Sequence, residues 1–200
     1  MEAVRDELLQ FWFGNDPDDA AIAKQQADLW WGRAAATDEE LQQRFGTAAS
    51  AAATEVLDHL VGSPRGRLAL ILLLDQLPRS IHRGTPNAFA QDSKARMVAA
   101  RGLDSGADKL LRPIERVFFY LPFEHSEQLE DQDLSVDLYR SLAEQVALEH
   151  RETFAEFLDY ATRHRDVIAR FGRFPHRNEI LGRPSTSEEL EFLEQPGAGF

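Results

Sequence analysis

Apolar residues recur through most of this chain at the three- and four-residue spacing of an α-helix. No window alternates apolar with polar between turn pairs as a strand would. That regularity limits the fold to helices packed on helices. Leu8, Phe11 and Trp12 share a face over 3–13, with Gly14 placed to stop the turn. A second periodic stretch covers 19–30 and ends at Gly32. Thr37-Asp38-Glu39-Glu40 has capping-box spacing and predicts a long Ala-rich helix to Val61, broken by Gly62-Ser63-Pro64. Further helices are predicted over 64–76, ended by Pro78, and through Ala95, Met97 and Val98 to Gly102. Others cover 114–121 after Pro113, then 126–146 and 149–171. After an irregular 172–184, Ser185-Thr186-Ser187-Glu188-Glu189 caps a last short helix to Glu194. About nine helices with short connections predict antiparallel neighbours. With no repeat and no linker, residues 1–200 read as one all-α domain.

Composition removes whole classes of function. The 200 residues carry 34 Asp and Glu against 22 Lys and Arg, a formal −12, which argues against nucleic acid or anionic lipid as partner. Without cysteine there is no disulfide frame, thiol nucleophile or thiolate zinc site. The longest apolar run, Leu68 to Leu74, falls far short of the roughly 20 residues that span a bilayer. The opening MEAVRDELLQFWFG lacks a charged-then-apolar signal layout, so the expectation is a soluble and most simply cytoplasmic protein. No Gly-rich phosphate loop, GxSxG or Rossmann fingerprint occurs, so no cofactor is expected.

The informative residues are polar ones where the core should be. The stripe Leu68, Ile71, Leu72 continues onto Asp75 and, a turn later, Arg79. Ile114, Val117, Phe118 and Leu121 lead to Glu124 and His125, and Phe154, Phe157, Leu158 and Ala161 to His164 and Arg165. Burying an unpaired charge costs several kcal/mol, so these groups are expected to meet each other or a ligand. Pro122 cannot donate to the carbonyl of Phe118, which predicts a kink and a bare backbone acceptor beside Glu124 and His125. Between 163 and 183 six arginines face only Asp166 and Glu179, a local +4 that includes Arg173 and Arg177, and His176 lies in the same stretch. Arg79 and Arg83 extend this to an electropositive patch.

The strings LLLDQLPRSIHRGTPNAFAQD, ERVFFYLPFEHSEQLEDQ and HRDVIARFGRFPHRNEILGRPST resemble a bacterial family, number 924 among the domains of unknown function. The likeness runs from LLQFWFG and Trp30-Trp31 to Gly199-Phe200. It implies a tetratricopeptide-like, right-handed superhelix of helix pairs and no established activity. Where the family pattern has Met or Leu before the histidine, this chain has Glu124.

Three readings follow. A small anionic molecule or an acidic peptide would be bound by a cluster of Asp75, Arg79, Arg83, Glu124, His125, Glu127, His164, Arg165, Arg173, His176 and Arg177, the arginines supplying forked donors. An enzyme would use His125 and His164 in acid–base chemistry on an anionic metabolite, with Glu127 tuning His125. A scaffold would use the same groups only to fix helix register. Without HExxH or ExxH spacing, no metal site is expected.

Overall fold

The computed structural model describes residues 2–199; Phe200, which the family likeness reaches, lies outside the described residues. Among the described residues there are eleven α-helices and no strand: α1 Glu2–Phe13, α2 Asp19–Gln25, α3 Ala27–Trp31, α4 Ala35–Ala53, α5 Pro64–Ile71, α6 Leu77–Ile81, α7 Asp92–Asp104, α8 Pro113–Glu124, α9 Leu129–Gln145, α10 Arg151–Phe171 and α11 Ser187–Leu193. Short 3₁₀ turns fill several of the connections.

Two segments are apolar on every side and therefore central. From Leu68 to Leu74 no residue is more than 2% exposed, and in α8 Ile114 to Glu124 are buried but for Arg116. The α5 segment packs against α1, α7 and α8, while α6 packs against α4. On the other side α8 meets α9, which forms a helical hairpin with α10 across the turn Leu148–His150. Phe118 gathers Trp12, Phe13, Trp30 and Trp31 around it with ring centroids 4.6–5.8 Å apart.

The expected boundaries shift where side chains supply better ends. The 19–30 stretch breaks at Gln26, turning Trp30 inward so that its indole N–H donates to the Trp12 carbonyl at 2.9 Å. Thr37 is not a cap: α4 starts a turn earlier, the amides of Thr37 and Asp38 both bonding the Ala34 carbonyl, and Asp38 pairs with Arg83. The same helix stops at Ala53 rather than Val61, because the Lys94 ammonium satisfies the carbonyls of Ala52 and Thr54 at 3.0 and 2.8 Å. The helix expected from 126 starts at Leu129, and the Gln132 amide reaches back to the carbonyls of Glu124 and Ser126, sealing the end of α8. At 149, a 3₁₀ turn precedes α10.

Neither internal proline stops its helix. Ahead of Pro78 the chain widens into a π turn, Leu72–Gln76, whose last amide bond runs from Leu77 to the Leu72 carbonyl, five residues back. The wider turn accommodates a proline that lacks its own donor, and helix resumes through Ile81. Pro122 lies inside α8, which continues to Glu124; the side-chain bond in this turn comes from the Tyr139 hydroxyl to the Val117 carbonyl at 2.8 Å, one residue before Phe118.

Candidate functional site

The π turn carries Asp75, fully buried, to the end of α8 where His125 forms the cap. His125 Nδ1 lies 2.9 Å from both Asp75 oxygens, and Gln76 donates to the same carboxylate at 2.6 Å. Burial works against ionising Asp75, but the Arg79 guanidinium at 3.3 Å and the His125 bond hold its pKa below the usual carboxylate range. An ionised Asp75 makes Nδ1–H the donor, which fixes the His125 tautomer. Burial, with Arg79 adding to it, lowers the His125 pKa, so the ring is neutral near pH 7.

Arg79 ties this dyad to a residue the sequence reading missed. Its guanidinium donates to the Asp75 carbonyl at 2.7 Å and forms a forked pair with Asp92, both bonds 2.9 Å, at the start of α7. Across Asp92 stands Arg177, delivered by the 3₁₀ turn Pro175–Arg177 after the left-handed Gly172 has ended α10. Arg177 is wedged between rings, its guanidinium carbon 4.4 Å from the Phe174 centroid and 4.7 Å from that of Phe89. Among the described residues its nearest carboxylate oxygen, on Asp92, is 3.6 Å away, and its buried Nε has no hydrogen-bond partner. Burial pulls the Arg177 pKa down to about 10.

Beneath this layer lies a neutral one. Glu124 approaches His164 Nδ1 at 3.2 Å and shares a hydrogen bond with Tyr139. His164 Nδ1 donates to the Tyr160 carbonyl at 2.8 Å. Burial pushes Glu124 up to about 8 and His164 well below its ordinary value. His164 stacks edge-on against Phe174, whose ring leads on to His176, itself pulled down to about 4 by burial and Arg177.

Seven of the eleven expected residues therefore gather: Asp75, Arg79, Glu124, His125, His164, His176 and Arg177. The other four are engaged elsewhere. Arg83 forks onto Asp38, and Arg165 pairs with Asp133 on the surface. Arg173 forks onto Glu189, the residue that with Thr186 builds the capping box of α11. Glu127 turns away from His125: it accepts the Phe174 amide at 2.9 Å and a fork from Arg183, and these partners lower its pKa against the effect of burial. It positions the loop that carries Phe174 and Arg177 and does not tune the histidine. A concavity of about 270 Å³ lies elsewhere, lined by the end of α10 and residues 192–198. Among the described residues no three His, Asp or Glu side chains are arranged to hold a metal, and no helix is long and apolar enough to cross a membrane.

Residues 8–197 match the model of a family described as bacterial protein of unknown function, DUF924. A solved structure of a protein of unknown function from Agrobacterium tumefaciens is similar to this chain, with 38% identity and a TM-score of 0.81 over 96% of this chain and 98% of that one. No curated protein matches.

Proposed function

Because the chain belongs to DUF924, a bacterial family of unknown function, its chemistry has to be read from its own residues, and we propose that it binds a small anion where Arg177 meets the Asp75–His125 dyad. The observation that carries this reading is the Arg177 guanidinium: buried between two rings, with its Nε lacking a hydrogen-bond acceptor among the described residues. A buried cation in that state gains more from an incoming carboxylate or phosphate oxygen than a solvated one does. A small anion suits the geometry better than an acidic peptide, since Arg83 and Arg173 are already forked onto Asp38 and Glu189.

Melting curves at constant ionic strength test it. Millimolar acetate or inorganic phosphate raises the melting temperature of the wild type over matched chloride, and Arg177→Met abolishes the rise. Equal melting in all three salts, or a rise that survives Arg177→Met, overturns the reading.

The dyad itself favours a second reading, acid–base catalysis, because Asp75 orients His125 with Nε2 turned away from it. In that case hydrolysis of 4-nitrophenyl acetate runs above the buffer rate and falls by about 10²-fold in His125→Asn, whose amide preserves the bond to Asp75. A rate equal to buffer rules this activity out.

A further inference from the structure

Among the described residues two polar atoms at this site have no hydrogen-bond partner, Arg177 Nε and His125 Nε2, and they are opposite in kind. Arg177 offers N–H donors; among the described residues its carboxylate neighbour is Asp92 at 3.6 Å, and its Nε has no acceptor. His125 has Nδ1–H committed to Asp75, so in the neutral ring Nε2 can only accept. No hydrogen bond from a described residue reaches Nε2, and the side chain is 13% exposed. The two groups belong to one assembly: Asp92 bridges Arg177 to Arg79, and Asp75 bridges Arg79 to His125.

Charge fixes the rest of the complement. Asp75 and Asp92 balance Arg79 and Arg177 one for one, and Asp92 directs its two short bonds to Arg79. Arg177 is thus left with donors for one carboxylate fork; that fork already puts one negative charge in excess among these groups, and a second would add to the excess with no further cation to meet it. The partner for Nε2 has to be a neutral donor on the same molecule.

Resting on the anion-binding reading above, we infer that the ligand is a small hydroxy-monocarboxylate, its carboxylate forked onto Arg177 and its hydroxyl donating to His125 Nε2. Acceptor and donor then meet donor and acceptor at both ends. A hydrogen phosphate dianion can fork onto Arg177 and donate its own hydroxyl to Nε2, but it brings a second negative charge against Asp92.

Titration calorimetry with glycolate, acetate, methoxyacetate and inorganic phosphate, at about pH 7.5 and fixed ionic strength, separates the possibilities. Glycolate should bind about tenfold more tightly than acetate, the gain of one buried hydrogen bond. Methoxyacetate keeps the oxygen but lacks the proton, so it should fall back to the acetate value or below. His125→Asn should erase the preference for glycolate while leaving acetate binding in place, and the wild-type comparison of glycolate with methoxyacetate decides the matter even if that variant does not fold. Equal affinity for glycolate and acetate, or phosphate binding more tightly than glycolate, overturns this assignment and leaves the Arg177 anion site standing. Absence of binding by all four overturns both.

Discussion

Asp75→Asn is expected to destabilise the protein by about 3–5 kcal/mol, the cost of breaking a buried ion pair by removing one partner. The substitution strips the negative charge from a fully buried side chain and leaves Arg79 facing only Asp92. It also presents His125 with an amide in place of a carboxylate. In a chain of 200 residues this corresponds to a fall of roughly 10 °C in melting temperature, measurable by calorimetry at neutral pH. Asp92→Asn is expected to cost less, since the Arg79–Asp92 fork is about one-fifth exposed on both sides. A variant at position 75 that melts with the wild type would mean that the network contributes nothing to holding the central helices together.

The second large effect is in the pH profile. Glu124 has a folded-state pKa raised to about 8 from an ordinary 4.5. Between those values the folded protein keeps a proton that the unfolded chain has released, so stability falls as pH rises, by up to about 1.4 kcal/mol per unit. The contribution is complete below 4.5 and gone above 8. Glu124→Gln carries no titrating proton, and its amide can serve both Tyr139 and His164. The variant should therefore gain on the wild type by several kcal/mol between about pH 5 and 8, with a constant difference beyond. On the acid side the signs reverse. His125, His164 and His176 have lowered pKa values, so the unfolded chain takes up protons first and stability drops as pH falls below the ordinary histidine value of 6.5. Together these groups place the wild-type maximum just above the ordinary histidine value of 6.5, where three opposing histidine slopes give way to that of Glu124. Denaturant titrations of wild type and Glu124→Gln across that range check it; parallel curves would show that Glu124 is ionised in the folded protein.

Much of this was legible before any coordinates. Helical spacing gave the all-α architecture, and three apolar stripes running onto ionisable residues pointed to Asp75, His125 and His164 as inward-facing. What escaped was direction. Glu127 lies two residues from His125, yet it sits in a loop where nothing in the spacing says which way a side chain turns, and it faces Phe174 and Arg183. Asp92 looks like an ordinary acidic residue in a helix's first turn; only the packing that brings Arg79 of α6 and Arg177 of the turn after α10 to it makes it the centre of the charge network. The π turn at Leu72–Gln76 was hidden because a proline in sequence reads as a stop, while a widened turn lets the helix pass it.

The segment after Gly172 has a consequence for how the protein is made. Phe174 covers His164 and belongs with Val167 and Ile168 to a small apolar cluster separate from the main core, while Arg177 approaches Asp92. Synthesis runs from α1 onward, so a nascent chain that has made α1 to α10 still lacks the Phe174–Arg177 turn. Until that turn emerges, the His164 ring and the Val167–Ile168 strip of α10 lack the aromatic cover that Phe174 gives them, the kind of greasy surface that holdases grip.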